Sequence, residues 1–334
     1  MAKARCFISD TYDPFFNLAT EDWIFNCLDP TEHILFLWRN NPTVVIGRNQ
    51  NPWAECDIKK ISENNVQLVR RQSGGGAVFQ DLGNTNFTFL SSREDYDRKK
   101  NFEIIIKSLS KLGINAQTSG RNDILVDGKK ISGSAFKENP DRAFHHGTLL
   151  INVNLNELAQ YLTPSPKKLI KHGTTSVKSR VINLVEFNKE LTHQILIDSI
   201  IDEFFSMYKA EKKVEVLNNK DLQNITKLND YYQFLKSDNW RFGETPKFQQ
   251  QLTEHFAWAT IDMHLDTEEG KIKKVKIFSD CLDTQLIEET ERAIEGLKYD
   301  SKSITDKLEI LKQTMPHADS QIQDFQNWIS NQIT

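Results

Sequence analysis

The sequence lacks the features that mark secreted, disulfide-bonded, zinc-binding and membrane-spanning proteins. It has only 4 cysteines in 334 residues, and Cys6, Cys27, Cys56 and Cys281 are too widely spaced for a C-x-x-C motif. No window reaches the roughly 18 apolar residues of a membrane span. Met1–Asp10 has neither the apolar core nor the cleavage site of a secretory signal. These absences predict a cytoplasmic globular protein with reduced thiols.

A large excess of charge of one sign is also missing. The chain has 42 basic and 46 acidic side chains, a net charge of −4, which does not favour a nucleic-acid binder. The charge is unevenly spread, however. Residues 251–334 hold 9 basic and 16 acidic side chains, a net of −7, which leaves +3 for the first 250 residues. This shift and the length predict two domains, 1–245 and 246–334.

The hydrophobic pattern that is present predicts an α+β fold. Phe15–Leu28 has the apolar spacing of an amphipathic helix. Ile34–Trp38 and Thr43–Ile46 are predicted as a strand pair, because the turn-forming residues 39–42 connect them. A hairpin is predicted around Asp127-Gly128, a type I′ turn signal between β-prone runs. After Trp240 the pattern starts again with two strands and three helices, so a small second α+β domain is predicted.

The sharpest local feature is the glycine triplet Gly74-Gly75-Gly76. Glycine has no Cβ and adopts positive φ, so its backbone amides can surround an anion. The triplet fits neither a P-loop nor a dinucleotide-binding fingerprint, because Ala77 and a predicted strand follow it. Two interpretations remain open, a strand–loop–strand phosphate cradle with Arg70 and Arg71 at its entry, or a glycine-rich connector.

A second group of candidate residues flanks the predicted hairpin. Lys130 can neutralise an α-phosphate and the negative charge that develops during acyl transfer. Asp123 can hold Mg²⁺, which prefers a carboxylate together with phosphate oxygens. Both side chains can equally be ordinary surface charges. His145 and His146 have no further ligands at metal-binding spacing, so a pocket-lining role is favoured over a metal site. The basic segment 164–180 is predicted as a loop that closes on a phosphate or meets an acidic partner, or is simply solvated.

Taken together, these stretches resemble the lipoate–protein ligase A family. The resemblance covers essentially the whole chain, with the last 85 or so residues similar in layout more than in motif. Nine runs carry it in the family's order: Ile8–Pro14, Phe36–Asn40, Val44–Trp53, Arg70–Phe79, Asp81–Asn84, Ser119–Asp123, Lys130–Ala135, Phe144–Leu149 and Ser176–Val181.

The resemblance implies a catalytic domain like those of class II aminoacyl-tRNA synthetases and biotin protein ligases, with a small α+β C-terminal domain. It also implies an ATP- and Mg²⁺-dependent reaction in two steps. Lipoate and MgATP first give lipoyl-AMP and pyrophosphate, and a lysine of an acceptor protein then takes the lipoyl group as an amide.

The same resemblance assigns roles to particular residues. Lys130 is expected to contact both the lipoyl carbonyl and the α-phosphate. The expected ATP-binding residues are Arg71, Gly76, Ala77, Val78, Phe79 and Lys130. The expected phosphate loop adds Arg70, Ser73, Gly74 and Gly75. Asn122 and Asp123 are expected to face the nucleotide and Mg²⁺, and 165–180, with Lys178 and Arg180, is expected to cover the adenylate. Gln80 departs from the family pattern, which often has His there.

The expected partners are free lipoate, or octanoate, and the apo forms of lipoyl domains and of the glycine cleavage H protein. Nucleic acid and membrane are not expected as partners, and a monomer is expected. Placement on strands predicts an apolar slot for the lipoyl tail among Trp38, Val44, Val78, Phe79 and Phe87. Two rival functions stay open. One is an octanoyl transferase, which needs a nucleophilic cysteine, and the other is a catalytically silent protein that binds lipoate or lipoylated domains.

Overall fold

A computed structural model describes residues 3–120, 122–162, 181–243 and 250–333. The described residues divide into two compact units. The first comprises those within Met1–Ile46, Pro52–Gln72 and Ala77–Arg241, and the second those within Gly47–Asn51, Ser73–Gly76 and Phe242–Thr334. The predicted α+β class is confirmed, since both units combine sheets with helices. The domain boundary at 245 stays a prediction.

The first unit is built on an eight-stranded mixed sheet and a smaller three-stranded sheet. The strand order is β11-β1-β2-β6-β10-β9-β8-β7 in the large sheet and β4-β3-β5 in the small one. The strands are β1 Ala4–Ser9, β2 His33–Trp38, β3 Thr43–Ile46, β4 Gln67–Arg70, β5 Val78–Gln80, β6 Asn84–Ser92, β7 Gln117–Ser119, β8 Asp123–Val126, β9 Lys129–Glu138, β10 Arg142–Leu150 and β11 Val214–Leu217.

Helices pack on both faces of the large sheet and on the small sheet. They are α1 Pro14–Cys27, α2 Pro52–Glu55, α3 Ile58–Glu63, α4 Arg98–Lys111, α5 Leu155–Tyr161, α6 His193–Tyr208, α7 Asp221–Asn224, α8 Thr226–Lys236 and α9 Asp238–Phe242, with a 3₁₀ turn at Leu184–Glu186. One core joins apolar side chains of α4 and α6 to one face of the sheet. A second core joins those of α1 and α8 to the other face.

Helix α1 shows why the sequence begins a helix at this point. Asp13 accepts a hydrogen bond from the backbone N–H of Phe15 at 2.9 Å, and Pro14 occupies the first turn, where its missing N–H costs nothing. The helix is buried around much of its circumference and encloses the polar side chains Asn17, Glu21 and Asp22. It therefore differs from the predicted amphipathic helix in having polar groups that face the core.

The predicted strand pair Ile34–Trp38 and Thr43–Ile46 is wrong in its pairing, although both segments are strands. β2 pairs with β1 and β6, whereas β3 pairs with β4 and β5. The turn residues between them therefore connect two different sheets. The predicted hairpin at Asp127-Gly128 is confirmed, with φ of 49° and 73° at these two residues, as a type I′ turn requires.

The second unit has its own sheet and core. Strands β12 Gln250–His255, β13 Thr260–Glu268 and β14 Lys271–Ser279 form an antiparallel sheet. Helices α10 Thr284–Ile294, α11 Ser301–Thr314 and α12 Asp319–Gln332 follow, with a 3₁₀ turn at Pro316–Ala318. The two strands and three helices predicted for this part of the chain are thereby confirmed. Within the described residues of both units, no helix has the length and hydropathy needed to cross a bilayer.

Candidate active site

The face of the eight-stranded sheet that α1 covers carries polar side chains beside its apolar core. Strand registers place Thr88 of β6 opposite His146 of β10, and His146 opposite Ala135 of β9. Because side chains alternate between faces along a strand, Gly133 and its partner Asp123 on β8 lie on this same face. We call it the polar face.

Helix α1 supplies a buried carboxylate to the polar face. The Glu21 side chain accepts a hydrogen bond from Thr88 Oγ1 at 2.6 Å and lies 2.9 Å from His146 Nδ1. Glu21 is only 1% exposed, so both contacts lie within the protein. The cluster fixes the His146 ring and anchors α1 to the sheet.

Arg71 contributes a buried positive charge. Its guanidinium donates to the carbonyl oxygen of Val45 at 3.2 Å. Burial lowers its pKa to about 10, while the Glu21 carboxylate favours the charged form. An arginine with this pKa is still charged at neutral pH, so it offers an oriented cation in a region of low dielectric constant. This environment suits the predicted role of Arg71 in binding an anionic substrate.

Arg70 has partners within the protein. Its guanidinium donates to the backbone carbonyls of Trp240 and Arg241, each at 2.8 Å. The indole N–H of Trp240 in turn donates to the carbonyl oxygen of Arg70 at 2.9 Å. These contacts give Arg70 a structural function, the attachment of α9 to β4, beside its predicted place in the phosphate loop.

The glycine loop Ser73–Gly76 groups with the second unit. The N–H of Gly75 donates to the carbonyl oxygen of Cys281 at 3.1 Å, and Gly75 has a φ of 89°. A Cβ on Gly74 would lie 2.2 Å from that carbonyl oxygen and 2.6 Å from the carbonyl oxygen of Leu282. Residue 74 must therefore be a glycine, because another stretch of backbone lies close to it. This requirement is independent of the phosphate cradle that the sequence predicted.

The surroundings of Gly76–Phe79 differ from those of Gly74 and Gly75. A Cβ on Gly76 would meet no atom within 4 Å. Phe79 is buried and stacks on Tyr161 with ring centroids 5.4 Å apart, and β5 pairs with β3 so that Phe79 lies opposite Val44. The stretch Gly76–Phe79 thus passes from an exposed loop into a fixed strand.

Lys130 and Asp123 are brought together by the hairpin. The Lys130 ammonium lies 2.8 Å from Asp123 Oδ1, with the two side chains 36% and 30% exposed. The sequence left open whether these residues share a face of the sheet, and they do. Asn122 is tied to β9, since its side chain donates to the carbonyl oxygen of Ser134 at 3.2 Å and its own carbonyl oxygen accepts from Ser134 N–H at 2.8 Å.

Gln80 belongs to a buried amide network. Its Oε1 accepts from Asn40 Nδ2 at 2.8 Å and from Asn86 Nδ2 at 3.3 Å, and Asn40 Oδ1 accepts from Asn17 at 2.9 Å. Glutamine thus connects the link between β2 and β3 with β6 and α1. The contacts of Gln80, which stands where the family often has histidine, are structural ones.

The predicted apolar slot needs one correction. Phe87 pairs with Leu37 of β2 and packs in the core on the face opposite to the polar face. Trp38 lies on the polar face, where its indole N–H donates to Thr88 Oγ1 at 3.4 Å. Because side chains alternate between the two faces of a sheet, Trp38 and Phe87 lie on opposite faces, although the sequence prediction placed both in one slot. The slot residues Val44, Val78 and Phe79 belong to the small sheet.

His145 and His146 also face in opposite directions. The His145 ring is enclosed by Phe87, Phe102 and Phe136, and burial lowers its pKa well below the ordinary range. His145 is therefore a neutral core residue. The described residues contain no group of three His, Cys, Asp or Glu side chains that is arranged to hold a metal ion. Lys178, Arg180 and the rest of the predicted adenylate-covering loop lie outside the described residues.

The sequence analysis did not identify Glu21 and Thr88 as site residues. A signal was available for Glu21, because Glu21 and Asp22 are the charged residues of a largely apolar helix, and buried acids are rare unless they have partners. The partner His146 is 125 residues away, so only the strand pairing brings them together.

Comparisons with known proteins identify the family of the chain. The model of the family "Lipoyl protein ligase A/B catalytic domain" matches residues 13–205, and that of "Bacterial lipoate protein ligase C-terminus" matches residues 245–329. A lipoate-protein ligase A from Psychrobacter cryohalolentis is 50% identical over 336 residues, which is 99% of each chain.

Solved structures show the same fold. The chain matches P. falciparum LipL1, solved in complex with lipoate, with a TM-score of 0.85 and 36% identity over 96% of this chain and 99% of that one. A lipoate-protein ligase A bound with ATP matches with a TM-score of 0.62 and 23% identity over 72% of this chain and 99% of that one. The chain therefore belongs to the lipoate–protein ligase A family.

Proposed function

We propose that the chain is an ATP-dependent lipoate–protein ligase, which joins the carboxyl group of lipoate to an acceptor lysine through an amide bond. Family membership supports the reaction type. The observation that carries the proposal within the structure is Lys130, whose partly exposed ammonium lies on the polar face beside Asp123. A cation in this position can stabilise negative charge on a carbonyl oxygen and on a phosphate.

The reaction needs positioning and charge stabilisation more than it needs a nucleophilic side chain. In the first step a carboxylate oxygen of lipoate attacks the α-phosphorus of ATP, and pyrophosphate leaves. In the second step the acceptor amine attacks the carbonyl carbon of lipoyl-AMP, loses a proton, and AMP leaves. Both attacks gain from preorganised donors in a water-poor site, such as Arg71 and Lys130.

The individual roles are proposals. Lys130 contacts both the lipoyl carboxyl group and the α-phosphate, and Arg71 binds ATP from its buried position. The remaining proposed ATP contacts are Gly76, Ala77, Val78 and Phe79, then Arg70, Ser73, Gly74 and Gly75 of the phosphate loop, Asn122 near the nucleotide, and Lys178 and Arg180 over the adenylate.

Mg²⁺ is proposed as the ion that accompanies ATP. Asp123 is the candidate ligand, and a single carboxylate combined with phosphate oxygens is a donor set that Mg²⁺ accepts. The partly exposed carboxylate on the polar face fits that set. When bound, the ion would neutralise part of the phosphate charge.

The proposed substrates are free lipoate, or octanoate, and the apo forms of lipoyl domains and of the glycine cleavage H protein. One methylene in a hydrophobic pocket changes discrimination by only about 1–3 kcal/mol, so the pocket is expected to accept both acids. We place the enzyme in the cytoplasm as a monomer, in keeping with the sequence composition.

A cysteine-dependent octanoyl transferase is the alternative that the structure disfavours. Burial raises the pKa of the Cys56 thiol to about 12 and raises that of Cys6 further still. Cys281 is buried as well, and Cys27 is exposed at the end of α1. The thiolate is the nucleophilic form, and the two thiols with raised pKa are protonated at neutral pH.

The test is a lipoylation assay with omissions. The protein is incubated with lipoate, MgATP and an apo lipoyl domain, and the acceptor is weighed by mass spectrometry. We expect a mass gain of one lipoyl group that disappears when lipoate, ATP or the ligase is left out. Lys130→Ala is expected to reduce pyrophosphate release to near background while the circular dichroism spectrum stays unchanged.

Lys129→Ala is the matched control, since Lys129 precedes Lys130 on the same strand and is exposed. It is expected to release pyrophosphate at the rate of the unmodified enzyme. Modification of the acceptor without ATP, or unreduced pyrophosphate release by Lys130→Ala, would contradict the proposal.

A further inference from the structure

The surroundings of Lys130 depend on an irregularity in the hairpin. From the turn, Val126 pairs with Lys129 and Leu125 with Lys130, but the next pairs are Ile124 with Ser132 and Asp123 with Gly133. Ile131 is therefore an extra residue in β9, a β-bulge. Lys130 lies on the face of Asp123 because it is opposite Leu125, and the extra residue places Gly133 instead of Ser132 opposite Asp123.

The bulge and the following glycine together give the lysine its place. A Cβ at position 133 would lie 2.9 Å from Lys130 Nζ and 3.0 Å from its Cε. The same Cβ would lie 3.9 Å from Asp123 Oδ1. The absence of a side chain at Gly133 therefore leaves the space in which the ammonium reaches Asp123.

The backbone of Lys130 is also held from the other side. The N–H of Ile182 donates to the carbonyl oxygen of Lys130 at 3.0 Å, and Val181 forms a parallel bridge with Lys130. With the backbone fixed, the remaining conformational freedom lies in the four-carbon side chain, and ordering that side chain costs entropy. A partner for the ammonium reduces that freedom before the substrate arrives.

We propose that Asp123 is a positioning residue for Lys130. An ammonium group has three N–H donors. The ion pair with Asp123 Oδ1 holds the ammonium in place, so that N–H donors remain for the acyl carbonyl oxygen and the α-phosphate. The inference rests on the role proposed above for Lys130. It adds to the magnesium role proposed for Asp123 a second one, in which the carboxylate acts on the lysine.

The first measurement is the rate of lipoyl-AMP formation by Asp123→Ala and Asp123→Asn. Positioning matters most in the transition state, so Asp123→Ala is expected to lower kcat about 10- to 100-fold and to change KM for lipoate less than about 3-fold. Asp123→Asn is expected to retain more activity, because its amide oxygen still accepts from the ammonium. Asp127→Asn, the same charge change at the exposed turn of this hairpin, is the control and is expected to have no effect.

A second measurement separates the lysine role from the metal role. The kcat of Asp123→Ala is measured at saturating Mg²⁺ and is expected to stay lowered there, because added metal does not restore the contact with Lys130. Full restoration of kcat at high Mg²⁺ would overturn the proposal, because the magnesium role alone would then account for the loss. Unchanged kcat in Asp123→Ala would overturn it as well.

A double-mutant cycle gives a readout that does not need turnover. Affinity for a non-hydrolysable lipoyl-AMP analogue is measured by calorimetry in the unmodified enzyme, Asp123→Ala, Lys130→Ala and the double variant. If Asp123 acts through Lys130, the loss of affinity caused by Asp123→Ala disappears in the Lys130→Ala background. An equal loss in both backgrounds would refute the inference. Failure of the proposed function is distinguishable, because the unmodified protein would then release no pyrophosphate with lipoate and MgATP.

Discussion

At the scale of single residues, Gly133 determines where the Lys130 ammonium can lie. The glycine does not have a positive φ, so its backbone conformation is open to other residues. What excludes a side chain is the proximity of Lys130 Nζ, 2.9 Å from a Cβ placed at this position. Because that atom ends a flexible side chain, an alanine would displace the lysine and leave the strand in place.

We therefore expect Gly133→Ala to fold normally and to lose adenylation activity. A displacement of about 1 Å in a reacting group costs up to 10²-fold in rate, so pyrophosphate release is expected to fall about 10- to 100-fold. The melting temperature serves as the control for folding and is expected to change by no more than a few degrees. Full activity of Gly133→Ala would show that Lys130 tolerates a different position.

Sequence reasoning identified Lys130 and Asp123 as separate candidates and could not pair them. The space for their contact depends on the bulge at Ile131, which places Gly133 opposite Asp123, and nothing in the residue pattern marks that position. Glu21 and His146 illustrate the same limit, because the cluster exists only after α1 has packed on the sheet. The sequence identifies side chains that are capable of the chemistry, whereas packing between distant segments of the chain determines which of them are in contact.

At the scale of secondary-structure elements, the sequence predicts correctly those features that depend only on residues next to one another in the chain. Asp127-Gly128 predicted its turn, because positive φ at both residues is a local requirement that few residues satisfy. The strand pair across residues 39–42 was predicted by the same kind of signal and is wrong. A short turn-forming connection fits a hairpin and a change of sheet equally well, and the choice depends on partners such as β6 and β4.

The hairpin turn gives a prediction at this scale. Gly128 has a φ of 73°, and an alanine in the left-handed region costs about 1 kcal/mol relative to glycine. Gly128→Ala is expected to lower the free energy of unfolding by about that amount, measured by denaturant unfolding. Asp127→Asn is the control, since asparagine tolerates the φ of 49° at that position, and it is expected to be nearly neutral. Equal stability of both variants would contradict a type I′ turn here.

At the scale of the whole molecule, buried histidines connect stability with pH. Burial lowers the pKa of His33 and of His145. His193 begins α6, and its Nδ1 lies 2.8 Å from Thr85 Oγ1. Burial, with a smaller contribution from the Arg39 charge, lowers the pKa of His193 from 6.5 to about 4. All three groups are more readily protonated in the unfolded chain than in the folded protein.

The unfolded state therefore binds more protons than the folded state between about pH 4 and 6.5, and the free energy of unfolding rises with pH across this range. The contribution of His193 is complete above its unfolded pKa near 6.5 and is lost as the pH falls toward 4. Its size is on the order of 1–3 kcal/mol. Melting temperatures measured from pH 7.5 to pH 5 are expected to decrease steadily.

His193→Asn is expected to flatten this decrease, because asparagine preserves a polar partner for Thr85 and does not titrate. His317→Asn provides the comparison at a histidine whose side chain is 60% exposed. We expect the His193 variant to lose less stability between pH 7.5 and pH 5 than either the unmodified protein or the His317 variant. Three identical slopes would mean that His193 is as easily protonated in the folded protein as in the unfolded chain, so that its burial beside Thr85 does not contribute to the acid sensitivity of the molecule.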